Sequence, residues 1–319
     1  MSLIQKNKNI SLIGCLMFIC VSISGCISPS KNEQKTQENK PNVVATSTII
    51  EDLTDDIAGD EIKLIGILKP GTDPHVYEPV PADSVALEKA QLILYNGYNL
   101  EPGLIKLMKT SGGKAKQVPV GEVIQPLELQ KKAEKVPDPH VWGDVKNVIK
   151  MSNAIRDELI QLSPEDKEKF TTNAAKLTAE LESLDQWVSE QIATIPPNQR
   201  LLVTTHDAFQ YYAKAYNLEI IGTLIGISTE EQPSAQTVKN LVNSIKSKRV
   251  KALFAETTIN PTLITTVAQE SGVKLSPKQL YSDSIGAPGS EGDSYIKMIV
   301  ANTRTIVDAL GGKSQPFNP

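Results

Sequence analysis

The chain has 319 residues, 40% of them hydrophobic, and a formal net charge of -4. That length suits two domains with ordinary cores. The mild acidity, without a long basic run, argues against nucleic acid as the partner.

Residues 1–25 read as a secretory signal peptide. Lys6 and Lys8 give a positive start, 10–23 form an apolar stretch too short to span a bilayer, and Ser24 and Gly25 close it. Ile23-Ser24-Gly25-Cys26 resembles a bacterial lipobox, in which cleavage precedes the cysteine and its thiol is acylated. Cysteine usage agrees. Of three cysteines, Cys15 and Cys20 lie in the part removed, and Cys26 alone remains, so no internal disulfide can form. Bacterial lipoproteins carry more than one acyl chain, which gives stable anchoring where a single chain gives only marginal binding. Residues 26–41 are polar and read as a flexible tether between lipid and domain.

From residue 42 the pattern alternates strand and helix: strand 43–48, helix 50–57 ending at Gly59, strand 62–68, helix 82–90, strand 92–95. Such alternation predicts a parallel α/β sheet. Ser163-Pro164-Glu165-Asp166 reads as a helix start, with Ser163 as cap. An apolar stripe follows: Phe170, Ala174, Leu177, Leu181, Leu184, Val188 and Ile192. It predicts a single helix of about 48 Å, ended by Pro196-Pro197. Placed mid-chain, that helix can be a strut between lobes, or a long surface helix of one domain. The alternation then resumes with strand 201–205, helix 209–216, strand 220–225, helix 237–246, strand 252–255, helix 263–270 and helix 293–310. The expected organisation is an N-terminal α/β lobe over 42–163, a linking helix over 164–196 and a C-terminal α/β lobe over 197–319.

Three histidines stand out, because there are only three: His75, His140 and His206. Each falls in a loop, and two follow predicted strands, the rim at which open parallel sheets bind ligands. His75 and His140 lie in the same tetrapeptide, Asp73-Pro74-His75-Val76 and Asp138-Pro139-His140-Val141. The proline fixes the loop ahead of the ring, and the aspartate can cap a helix or orient a ring nitrogen. A lone histidine is more often structural or exposed; three in loops point to a metal site, since imidazole is the commonest metal ligand. There is no phosphate-binding glycine loop, dinucleotide fingerprint, H-E-x-x-H or G-x-S-x-G.

Five segments carry a family resemblance: GTDPHVYEPVPAD, DPHVWGD, LLVTTHDAFQYYAKAYNL, FAETTINP and YSDSIGAPGSEGDSYIKMIVANTRTIV. In order and spacing the chain resembles the substrate-binding lipoproteins of zinc and manganese ABC importers, often called cluster A-I, over residues 43–310. The resemblance implies two four-stranded α/β lobes, one long linking helix and a metal ion between the lobes. It also implies four ligands, His75, His140, His206 and Asp283. The residues alone do not single out Asp283, which in Tyr281-Ser282-Asp283-Ser284 reads rather as a cap or turn former. Glu256 is either an acceptor for an imidazole N–H or a solvated loop acid. Two departures are visible. Gly143 stands where the family usually has a bulkier residue, and the segment 127–138 lacks the long His-rich loop of zinc-specialised members.

The expected function is therefore capture of one Mn2+ or Zn2+ ion, as transported ligand, for the membrane permease of an ABC importer. The expected protein is an exported, lipid-anchored monomer in the periplasm or on the cell surface, not an enzyme. A zinc hydrolase and a surface adhesin are the alternatives. A hydrolytic zinc needs an open position and a nearby base, and an adhesin leaves the metal constellation without a purpose.

Overall fold

The computed structural model describes residues 40–110, 113–131 and 134–318. The signal peptide, Cys26 and nearly all of the tether lie outside these residues. Among the described residues no helix is long and apolar enough to cross a membrane.

The N-terminal lobe is built on four parallel strands in the order β2-β1-β3-β4: β1 (Asn42–Ala45), β2 (Lys63–Gly66), β3 (Leu92–Tyr95) and β4 (Lys116–Pro119). Alternation along β1 explains why both faces are covered. Val43 and Ala45 enter the central core, whereas Val44 packs on the other face with Ile93, Leu87 and Leu104. The predicted strand 43–48 ends three residues early. Ser47 is bound to the helix instead, its hydroxyl accepting the Ile50 N–H at 3.3 Å, so Thr48 opens α1 (Thr48–Ala58). Gly59, at φ 53°, ends α1. The crossover helices are α2 (Pro81–Lys89) and α3 (Pro102–Thr110). Between β4 and the second histidine motif lies an antiparallel hairpin, β5 (Glu128–Lys131) with β6 (Glu134–Pro137).

Helix α4 (Val145–Leu162) leads into the long helix. Pro164–Asp166 form a 3-10 turn, and the α-helical part, α5, spans Lys167–Ala193. The expected cap is replaced: the Ser163 hydroxyl donates to Asp166 Oδ2 at 2.6 Å. The 27 residues of α5 span about 40 Å, shorter than predicted because its first three expected residues form the 3-10 turn and the α-helix ends at Ala193. All seven residues of the predicted stripe are buried. They pack on α1, α4 and α9 (Tyr295–Ala309).

In the C-terminal lobe, β7 (Leu201–Thr204) pairs parallel with β8 (Glu219–Thr223), and β9 (Ala252–Leu253) with β10 (Lys274–Leu275). The Phe254 N–H donates to Val203 O at 3.0 Å and joins the two pairs. Helices α6 (Gln210–Tyr216), α7 (Ala235–Lys248) and α8 (Thr262–Ser271) complete the lobe. One core runs through both lobes, with Leu94, Leu181, Phe254 and Ile306 among its members. The fold is thus α/β, two lobes of parallel strands and helices on either side of α5.

Candidate metal centre

Each site residue sits just beyond an element that fixes it. After β2, the 3-10 turn Pro74–Val76 places His75, and Asp73 Oδ1 caps it by accepting the His75 N–H at 2.9 Å. His140 follows β6 and precedes the turn Val141–Gly143. His206 follows β7, where the Thr204 hydroxyl holds its carbonyl at 2.9 Å. Asp283 lies between β10 and α9. There Asn302 of α9 grips Tyr281 from both sides, accepting its N–H at 2.9 Å and donating to its carbonyl at 2.7 Å.

The four side chains meet. One ligand atom from each of His75, His140, His206 and Asp283 lies within 4.8 Å of the others, and all four residues are buried. His75 Nε2 and His140 Nε2 are 3.2 Å apart. Asp283 turns Oδ1 to His140 Nε2 at 3.4 Å and Oδ2 to His206 Nε2 at 3.2 Å. Both Asp283 oxygens and His206 Nε2 lack hydrogen-bond geometry despite full burial. Polar atoms buried in this way are costly unless a cation joins them. The donor set of imidazole nitrogens and carboxylate oxygens suits a divalent transition metal.

In His140 and His206 the ring nitrogen facing away from the centre is held by a carboxylate. Asp138 Oδ1 lies 2.7 Å from His140 Nδ1 and also accepts the His140 backbone N–H at 3.0 Å. Glu256 Oε2 bonds His206 Nδ1, and Glu256 Oε1 accepts the N–H groups of Thr205 at 2.8 Å and His206 at 2.9 Å. Glu256 is fully buried, not a solvated acid. Such partners fix the tautomer that presents Nε2 to a metal.

The same carboxylates set the electrostatics. Burial pushes the His140 pKa down, but the hydrogen bond and charge of Asp138, then the nearby carboxylate of Asp283, outweigh it and raise it to about 9. His206 is raised well above its usual value against burial, by Glu256 and Asp283. Burial would raise Asp283, yet the two imidazoles hold it well below the usual carboxylate range. Without an ion the cluster therefore holds protons where a metal would bind.

The family described as ZnuA, zinc-uptake complex component A, periplasmic, matches residues 43–309. The chain belongs to this family. A metal ABC transporter substrate-binding lipoprotein of Lactococcus lactis is 34% identical over 97% of this chain and 99% of its own. The manganese-binding lipoprotein MntA of Halalkalibacterium halodurans is 31% identical over 95% and 99%. Among solved structures, the periplasmic zinc-binding protein TroA of Treponema pallidum superposes with a TM-score of 0.80 at 34% identity. That match covers 85% of this chain and 99% of TroA.

Within this ZnuA-family chain, several residues around the site had no signal of their own in the sequence. Trp142 Nε1 donates to Ser282 O at 2.9 Å, tying the His140 loop to the Asp283 loop, and its ring stands edge-on to His140. Tyr211 of α6 donates its hydroxyl to Asp138 O at 3.0 Å. Gly143 has a local reason: a Cβ there would come within 3.1 Å of Tyr212 N and 3.4 Å of Tyr211 Cβ. The missing side chain lets α6 pack against the loop that carries His140.

Proposed function

We propose that this protein captures one divalent transition metal ion outside the cytoplasm and delivers it to the membrane permease of an ABC importer. His75, His140, His206 and Asp283 are the ligands, and Cys26 is the lipid attachment site. The carrying observation is the buried cluster itself, assembled from both lobes with the outer nitrogens of His140 and His206 already held by Asp138 and Glu256. Catalysis does not suit it. Four protein ligands leave a tetrahedral metal without the open position that a hydrolytic zinc keeps. One chain supplies the whole ligand set, which supports a monomer as the working unit.

Manganese is the favoured cargo, with zinc as competitor. Asp283 faces two histidines with separate oxygens, so it can bind through both and raise the coordination number above four. The segment between Leu127 and Asp138 is a short hairpin with no histidine, and relatives named for manganese align over nearly the whole chain. The Irving–Williams order nonetheless predicts tighter zinc binding in vitro. Metal analysis of protein purified without added metal, with competition titration, tests capture: one ion per chain is expected, and no bound metal at any ratio would refute it. Growth of a deletion strain under separate manganese and zinc limitation tests the cargo. A defect rescued by zinc alone would exclude manganese.

A further inference from the structure

The two Asp-Pro-His-Val segments have the same sequence but are tied differently. In the second, the segment from Asp138 to Gly143 is buried throughout. Tyr211, Asn96 and Tyr295 hold the carbonyls of Asp138, Pro139 and Trp142 at 3.0, 2.9 and 2.8 Å. Asp138 spends its Oδ1 on His140 itself, at both the backbone N–H and Nδ1.

The first segment runs between two open volumes. A cavity of about 570 Å³ reaches His75 from the side of Tyr98, Pro139 and Glu230. Another of about 440 Å³ reaches Asp73 and Val76 from the side of Thr258 and Leu263. Asp73 and Thr229 are only partly buried, and Val76 is 48% exposed. At the start of the segment the Gly71 N–H donates to Ser284 Oγ at 2.8 Å. Nearer the histidine, Asp73 divides its oxygens. Oδ1 caps His75 at 2.9 Å, and Oδ2 accepts the Thr229 hydroxyl at 2.6 Å. Thr229 belongs to the other lobe, in the loop between β8 and α7. One carboxylate thus connects the backbone of a ligand histidine to the far wall of the cleft.

We infer that Thr229 is a positioning residue for metal retention: through Asp73 it holds the His75 segment closed over the ion and sets the rate at which the ion is released. The inference rests on the metal-capture reading. The bond exists only when the two lobes are together, so it stabilises the closed state and not the encounter. A hydroxyl-to-carboxylate bond is charge-assisted, and its loss is expected to speed release about tenfold while leaving capture unchanged.

The test uses the purified full chain loaded with Zn2+. Release is followed by stopped flow into excess chromogenic chelator, and capture by mixing metal-free protein with Zn2+. Thr229→Val keeps the shape and removes the hydroxyl, Thr229→Ser keeps the hydroxyl, and Thr229→Ala is a second hydroxyl-free variant. The expected result is release about tenfold faster in the Val and Ala variants, capture within about twofold of wild type, and wild-type release in the Ser variant. Urea midpoints of the metal-free proteins should agree. Release at the wild-type rate in the Val and Ala variants would overturn the inference, as would a Ser variant as fast as Val. If the wild-type chain takes up no zinc, the capture reading falls and the inference with it. Normal loading with unchanged release removes the Thr229 role alone.

Discussion

If the four residues hold the ion as proposed, protons and metal compete for the same imidazoles, and this gives a pH prediction of definite sign. In the metal-free protein His140 is raised to about 9 and His206 is raised well above the usual value. The unfolded reference is about 6.5. A raised histidine contributes stability that is complete below the unfolded pKa and is lost as pH rises through the folded one. Asp283, held low, contributes above its unfolded pKa of about 4 and loses that contribution only as pH falls through its depressed value. Asp52 and Glu101, both raised to about 7 by burial, act with the same sign as the histidines but over a lower window. The loss of stability between about pH 7 and pH 9 therefore belongs to the imidazoles. Over that interval the stabilisation gained from added Zn2+ should grow, because fewer protons have to leave. The reference pKa alone places the loss of binding below about pH 6; the carboxylates around the rings move the competition upward. Thermal unfolding of metal-free and zinc-loaded protein across this range checks it, and a flat metal-free profile from pH 7 to 9 would contradict the assignment. Alanine at His140, His206 or Asp283 should reduce metal affinity far more than alanine at exposed Glu182. Glu256→Gln should cost about 10–100-fold by loosening His206; isothermal titration measures both. The histidines were legible in the sequence because they are few and two share a motif. Asp283 was legible only through the family resemblance, since one aspartate in a Ser- and Gly-rich loop looks like any turn. Trp142, Tyr211 and Thr229 had no local signal, because their partners lie far away in the chain.

At the scale of elements, the long helix was the easiest to read. Its stripe is regular and no Gly or Pro interrupts it, so period alone gives both the helix and its buried face. Strand ends were harder. Thr46 and Thr48 suit a strand by propensity, but the Ser47 hydroxyl takes an N–H from α1 and turns the chain. The hairpin of β5 and β6 has no apolar alternation to announce it, since Glu128, Gln130, Lys131, Glu134 and Lys135 dominate both strands. Helix α5 packs on α1, α4 and α9, and Leu181 lies fully buried near its middle. Leu181→Ala should lower unfolding free energy by about 2–5 kcal/mol, the transfer loss plus the cavity. None of the four site residues lies on α5, so metal affinity should change little while the fold persists. Urea denaturation beside a zinc titration separates the two, and a large affinity loss with little loss of stability would mean that α5 acts on the site directly.

At the scale of the molecule, the lobes share a core. Leu94 of β3, Leu181 of α5, Phe254 after β9 and Ile306 of α9 belong to one cluster of buried side chains. Smaller clusters lie on the outer face of each sheet. If the lobes were tied only by a helix, each would unfold by itself. With the main core running through α5, opening either lobe exposes surface that the other also covers. Chemical unfolding of the metal-free protein is therefore predicted to be a single cooperative transition. Fluorescence selected for Trp142, beside the metal site, and for Trp187, on α5, should report the same urea midpoint when each is measured in the single-tryptophan variant, Trp187→Phe or Trp142→Phe. Zinc at 100 times its dissociation constant should stabilise the whole molecule by about 2.7 kcal/mol and move both midpoints together. Two separate midpoints, or a zinc shift confined to the Trp142 signal, would show that the lobes are thermodynamically independent and that the shared core does not couple them.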